Sequence, residues 1–281
     1  MPASRFALNT YSYIWRYAAL DCLEHLADAG FTQFELLVNP PHLWPAALDR
    51  AQRAAVAALL ARRGLQVVSL NPPSLDLNLT SPAAEMRRYT LDHYRAVIEL
   101  AGEWGAPHVI VVPGKTHPLL PAPAAQVQGW FRAALDALLA HAEAANVDLL
   151  LENLPMAFLP RAQDLVDAVT AIGAARLGIV YDVANGFFIG EDPAQGLLTS
   201  EPHLRLVHLS DTGTQRWEHA PVGSGAVPFG AVANALAKIA YRGPCVLEII
   251  SHAPEKDIPE SEQRLQELGW RGNQAAGTCN A

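Results

Sequence analysis

Apolar and polar positions fall in blocks along this chain. Short apolar runs at residues 6–8, 34–37, 66–70, 108–112, 149–152, 179–182, 204–209 and 245–249 recur between longer stretches whose apolar residues keep helical spacing. Runs without alternation predict parallel strands buried on both faces, and the stretches between them predict helices. Helices are expected over about 18–29, 46–63, 81–104, 124–145, 161–172 and 229–240, several of them stopped by a glycine such as Gly30, Gly64 or Gly105. Ser81-Pro82 reads as the N-cap and first helical position of the third helix. Strict strand–helix alternation over 281 residues predicts an α/β fold, a closed (β/α)8 TIM barrel, with a doubly wound open sheet as the alternative. One domain over 1–281 is expected, with a short C-terminal extension from about residue 255.

The last four runs share a design. Leu149-Leu150-Leu151 stops at Glu152, Ile179-Val180-Tyr181 at Asp182, Leu206-Val207 at His208 and Val246-Leu247 at Glu248. In a barrel, chemistry sits at the C-terminal ends of the strands. Four neighbouring strands would bring these side chains to one point. An ion pair or strand-end cap explains any one of them alone, but three carboxylates together repel one another unless a cation lies between them. Oxygen donors with one imidazole and no thiolate suit one divalent metal ion, Mn²⁺ or Mg²⁺ best, with Co²⁺ and Zn²⁺ compatible.

Composition narrows the partners. A formal net charge of -8 and a pI near 5.6 argue against a phosphate-backbone partner, so no nucleic acid is expected. No apolar run approaches the ~20 residues of a membrane helix. The residues Met1 to Arg5 lead into a strand without a leader-like apolar segment, and Cys22, Cys245 and Cys279 form no CxxC pair. A reduced, cytoplasmic protein is expected. The glycines after Asp182 and His219 make no P-loop or dinucleotide fingerprint, so no nucleotide cofactor is expected. Apolar helix faces leave room for a homo-oligomer.

The segments Leu151-Glu152-Asn153, Tyr181-Asp182-Val183-Ala184-Asn185, His208-Leu209-Ser210-Asp211, His219-Ala220-Pro221-Val222-Gly223-Ser224-Gly225 and Leu247-Glu248 carry a resemblance. In order and content they resemble the xylose-isomerase-like sugar phosphate isomerase/epimerase family. The resemblance implies that Glu152, Asp182, His208 and Glu248 bind one divalent metal, and that Glu152 and Glu248 serve as the acid/base pair. The implied substrate is a small polyhydroxylated carbonyl compound, whose 2-hydroxy carbonyl group passes through an enediolate. Return of the proton gives isomerisation or epimerisation. Loss of a β-hydroxyl makes the enzyme a lyase, acting on an inosose- or dehydroshikimate-type ring, and decarboxylation of a sugar keto-acid is the other lyase reading.

Departures from the family pattern bear on the substrate. Asn185 stands where His is common, Ser210 where Lys is common, and Asn71 and Val112-Pro113-Gly114 replace ligands of a multi-zinc DNA-repair endonuclease. Further substrate-binding candidates are His219 and Arg216 in the long loop after the seventh strand, and Lys115 and His117 after the fourth. Asn185 follows the sixth strand, and Trp15 is expected in an aromatic wall with Tyr11, Tyr13, Trp44 and Phe158. Glu35 reads either as a pocket acid or as a core ion-pair partner.

Overall fold

The computed structural model describes residues 6–73 and 76–270. The N-terminal residues 1–5, Leu75 at the start of the predicted 75–80 loop, and Cys279 lie outside the described residues. In order, the elements are β1 (Ala7–Asn9), α1 (Ala19–Asp28), β2 (Gln33–Leu37), α2 (Arg50–Arg63), β3 (Gln66–Asn71), α3 (Ala84–Trp104), β4 (His108–Val111) and α4 (Ala124–Ala145). They continue with β5 (Asp148–Glu152), α5 (Ala162–Ile172), β6 (Leu177–Asp182), α6 (Val183–Phe188), α7 (Pro193–Ser200), β7 (Leu204–Leu209), α8 (Phe229–Lys238), β8 (Cys245–Leu247) and α9 (Pro254–Glu267). The strands form one closed parallel barrel in chain order, with β1 paired to both β2 and β8. Closure disposes of the open-sheet alternative.

Strand parity explains how the barrel makes a site. Ala7, Val68, Ile110, Leu150, Val180, Leu206 and Val246 form a separate buried cluster in the barrel interior. Successive strand side chains alternate faces, so a residue two positions further on points the same way. Two positions after Ala7, Leu150, Val180, Leu206 and Val246 come Asn9, Glu152, Asp182, His208 and Glu248. The apolar plug is therefore the floor, and the polar residues are the next layer toward the C-terminal mouth. The alternate residues Leu149, Leu151, Ile179, Tyr181, Val207, Leu209 and Leu247 face outward into the larger core beneath the helices. This double burial is why the strands read as continuous apolar runs.

Two helix starts depart from expectation. Residues 46–49 do not join α2; Pro45–Ala47 make a 3-10 turn, and α2 begins after a capping box in which Asp49 and Gln52 bond reciprocally to each other's backbone N–H. Nor does Ser81 cap α3. Its hydroxyl accepts from Ala83 N–H at 3.3 Å, and the helix starts two residues later than expected, with Ala83 in the cap position and no side-chain cap. The residues from about 255, expected as an extension, form α9, which follows β8 and buries Ile258 and Leu265 against the core. No helix among the described residues is long and apolar enough to cross a membrane.

Candidate metal centre and cavity

The backbone around Asp182 is clamped before any ligand binds. Asn153, one residue past Glu152, accepts from Asp182 N–H at 2.7 Å and donates to the Asp182 carbonyl at 2.9 Å. Asp182 then caps α6, its Oδ1 accepting from Asn185 N–H at 2.9 Å. That leaves Oδ2 to face the barrel axis.

One donor atom each from Glu152, Asp182, His208 and Glu248 lies within 4.8 Å of all the others, and all four residues are buried. His208 Nδ1 sits 3.0 Å from Glu152 Oε1, 3.1 Å from Glu248 Oε2 and 3.9 Å from Asp182 Oδ2. Asp182 Oδ2 and Glu248 Oε2 are buried with no hydrogen-bond partner among the described residues. A buried orphan acceptor is rare, and a pair of carboxylate oxygens left bare beside two further acceptors fits a hard divalent cation.

The electrostatics express the same crowding. Burial, with Glu248 and Glu152 nearby, pushes Asp182 up to about 7 despite His219 and His208. Burial also raises Glu152 against the hydrogen bond from His208. For Glu248, burial pushes upward, but His208 and His219 outweigh it and hold the carboxyl down at about 2. Burial pulls His208 down, and the facing Glu35 and Glu248 carboxylates more than reverse it, so its pKa ends well above the ordinary imidazole value. Carboxylates outnumber imidazoles in this buried space, the charge pattern a cation would relieve.

Above the cluster opens a cavity of about 670 Å³, within the usual range for small-molecule sites. Of the four clustered residues, Glu152 and Glu248 line it, while Asp182 and His208 lie beneath at 0% exposure. Tyr11, Val112, Leu154, Trp217 and Ile250 give it apolar walls.

The sequence model of the xylose isomerase-like TIM barrel matches residues 23–268. The chain belongs to that family. An uncharacterised protein of Methanocaldococcus jannaschii is 25% identical over 253 residues, covering 87% of this chain and 83% of its own. Among solved structures, a D-tagatose 3-epimerase-like protein superposes with a TM-score of 0.82 at 22% identity, over 94% of this chain and 96% of that one. A 3-keto-D-glucoside 4-epimerase from E. coli gives 0.77 at 19% identity, over 95% and 99%. An L-ribulose 3-epimerase gives 0.76 at 19% identity, over 95% and 93%. At such identities the structural likeness is one of fold.

Within this xylose isomerase-like barrel, the predicted pocket residues separate into two groups. His219 lines the cavity, with Nδ1 3.0 Å from Ser210 Oγ and 3.5 and 3.6 Å from the bare Asp182 and Glu248 oxygens. Arg216 reaches the mouth but is 82% exposed and paired with Glu218 at 3.1 Å. Asn185 also lines the cavity, yet its side chain is engaged: Nδ2 donates to the Asn153 carbonyl, and Oδ1 accepts from Trp217 Nε1–H at 2.7 Å.

The structure does not bring Trp15, Lys115 or His117 to the cavity. Trp15 is 77% exposed on the surface. Lys115 bridges to Ala157 between two loops, and His117 Nδ1 accepts from the N–H groups of Leu119 and Leu120, turning its own loop. Trp44 stacks on His93 and Phe158 packs edge-on to Phe131, so those rings fill the helical shell; Tyr11 alone of the five predicted aromatics lines the cavity. Sequence reading missed Trp217 as a wall, although its position two residues before His219 placed it on the same loop. It also missed the depth of the polar layer from β1–β3, where Asn9, Ser69 and Asn71 surround Glu35.

The loop bearing Trp217 and His219 is held by Asp211, whose carboxylate accepts from Thr212, Gly223 and Val227 N–H groups. Gly225 lies against it, and a Cβ there would overlap the Thr212 carbonyl oxygen and Asp211 Oδ1. Gly225→Ala is therefore expected to displace this loop, raising KM roughly tenfold while shifting thermal stability by about 1–3 kcal/mol. Steady-state kinetics beside a melting curve measure both; an unchanged KM would refute the assignment of the loop to the pocket wall.

Proposed function

We propose that this protein is a divalent-metal-dependent isomerase or epimerase of a small, sugar-like 2-hydroxy carbonyl compound, with Glu152 and Glu248 as its acid/base pair and Glu152, Asp182, His208 and Glu248 as its metal ligands. The observation that carries this reading is the pair of buried oxygens, Asp182 Oδ2 and Glu248 Oε2, that make no hydrogen bond among the described residues and face imidazole nitrogens, in a four-residue cluster opening on a cavity. Family membership and the presence of sugar epimerases among the structural neighbours support it.

When bound, a divalent cation supplies positive charge where negative charge develops on the carbonyl and neighbouring hydroxyl oxygens. The remaining work falls to side chains. Glu248 is oriented by Asn9 and Asn71, whose amides donate to Oε1 at 3.2 and 3.3 Å, so Oε2 is left for proton exchange or coordination. Glu152 reaches the cavity from β5, its Oε1 lying 3.0 Å from the same His208 Nδ1 that Glu248 approaches. One glutamate takes a proton from carbon, giving the enediolate of the substrate. Its return by the other glutamate to the opposite face is epimerisation, and return at the neighbouring carbon is aldose–ketose isomerisation. The apolar walls shield that exchange from bulk water.

A lyase is the second reading, favoured by one observation. His219 places a further proton-carrying group beside Glu248, where a departing β-hydroxyl would need one.

The test is metal analysis of the purified protein together with proton–deuterium exchange in D₂O on ketoses and cyclic hydroxyketones. About one equivalent of divalent metal and deuterium at a substrate carbon is expected, and the product separates epimer from dehydrated compound. Failure to bind any divalent metal, even when Mn²⁺ is supplied, would overturn the reading.

A further inference from the structure

Glu35 lies on β2, across the barrel from the four clustered residues, and none of the motifs that carry the family resemblance includes it. Its carboxylate is fully buried and accepts four hydrogen bonds. Oε1 takes Asn9 Nδ2–H at 2.6 Å and Asn71 Nδ2–H at 3.1 Å; Oε2 takes Ser69 Oγ–H at 2.6 Å and lies 3.1 Å from His208 Nε2. With the two asparagine amides and the serine hydroxyl already donating, the carboxylate has only acceptor capacity left for the imidazole. The hydrogen between Glu35 and His208 therefore belongs to Nε2.

We infer that Glu35 is a positioning residue that keeps a proton on His208 Nε2 and thereby leaves Nδ1, the nitrogen facing Glu152, Asp182 and Glu248, as the one to ligate a metal ion. The inference rests on the metal-binding reading above for its consequence, but its structural content is the tautomer of His208. A ligating histidine gains orientation and basicity from such a partner on its other nitrogen. The same cage reaches Glu248, because Asn9 and Asn71 each donate to both Glu35 and Glu248. Glu35 thus fixes one ligand directly and shares the donors that orient another.

The substitution Glu35→Gln has a chemically directed outcome. Asn9 cannot turn its amide, because its Oδ1 already accepts from Tyr11 N–H at 2.7 Å. The new amide oxygen must therefore face the asparagines, and the new NH₂ must face Ser69 and His208. Ser69 can rotate its hydroxyl to accept. His208 must then accept at Nε2 and carry its proton on Nδ1, aimed at the other ligands. Shape is preserved, and the lone pair is lost from the place where it is used.

The experiment is ¹⁵N-histidine-labelled NMR on the metal-free protein, with Mn²⁺ titration followed by calorimetry. In wild type, His208 Nε2 is expected to bear a proton; in Glu35→Gln it is expected to bear none, and Mn²⁺ affinity to fall roughly 10–100-fold. Ser69→Ala removes a cage member without reversing the acceptor at His208, and its Mn²⁺ affinity is expected within about threefold of wild type. A Glu35→Gln protein that binds Mn²⁺ like wild type, or keeps a proton on Nε2, overturns the inference. If Glu35→Gln fails to fold, an unprotonated Nε2 in wild type does so alone, and a protonated one together with normal Ser69→Ala binding supports it. Wild type that binds no Mn²⁺ refutes the metal reading instead, while the NMR result still decides the role of Glu35.

Discussion

Replacing Glu248 with Gln is expected to reduce turnover by about 10²–10⁴-fold at saturating metal, in a protein that still folds. The side-chain shape is unchanged. The amide oxygen can keep the two donors that Oε1 now accepts from Asn9 and Asn71. The amide NH₂ then occupies the place of Oε2, beside the unpartnered Asp182 Oδ2, and gives that oxygen a donor. Packing is preserved, but the charge that His208 and His219 hold on Oε2 is lost, so the metal-free variant is expected to fold with a lower melting temperature. What vanishes is the capacity to take up a proton, along with one anionic ligand. Glu152→Gln is expected to lose activity to the same extent, because the two glutamates are the members of the cluster that line the cavity. Steady-state rates over a range of Mn²⁺ concentrations separate lost chemistry from weakened metal binding, since only the latter recovers with excess metal. Either variant retaining more than about a tenth of wild-type turnover would remove that glutamate from the acid/base pair.

Asp182→Asn should reverse the ranking of stabilities between metal-free and metal-loaded protein. Without metal, Asp182 is a buried carboxyl pushed up to about 7 by its surroundings, next to two further carboxylates. Its amide replacement keeps the backbone cap from Asn185 through the oxygen and removes the repulsion, so the metal-free variant is expected to melt at or above wild type. With metal in 100-fold excess over its dissociation constant, wild type should gain about 2.7 kcal/mol. For a domain of this size that is an increase in Tm of roughly 4–6 °C. The variant, with a neutral amide in place of an anionic ligand, should gain little. Melting curves with and without 1 mM-scale Mn²⁺, after exhaustive chelation, provide the measurement. An equal metal-induced increase in both proteins would exclude Asp182 from the ligand set.

The β5–β8 half of the centre was legible because burial and parity act locally. A strand buried on both faces must be apolar until it reaches the mouth, so a carboxylate or imidazole at its last inward position stands out against the run before it. Glu152, Asp182, His208 and Glu248 each follow an inward apolar residue by two positions, and that spacing is visible in one dimension. Helix ends set by nearby residues were equally open to reading, as at Gly105 after α3 and Gly64 after α2, both in the left-handed conformation that glycine adopts without strain.

Loop residues behaved differently. Lys115, His117 and Trp15 follow strands β4 and β1, yet the loops turn them into a bridge, a self-capped turn and open solvent. Position after a strand says that a residue is near the mouth; the direction of its side chain depends on contacts made by the loop with other loops.

The sequence by itself determined the barrel and the four metal-capable residues that meet at the C-terminal ends of its strands, because alternation of buried runs and strand parity are properties of neighbouring residues. Only the tertiary structure decided what surrounds them. Glu35 is separated by 173 residues from His208, and Asn9 by 239 from Glu248, so no local pattern relates either pair. Barrel closure sets β1 against β8 and brings the first three strands across the axis from the last four. It is that closure which gives His208 a fixed partner on Nε2, orients one oxygen of Glu248, and leaves two carboxylate oxygens bare at the foot of the cavity.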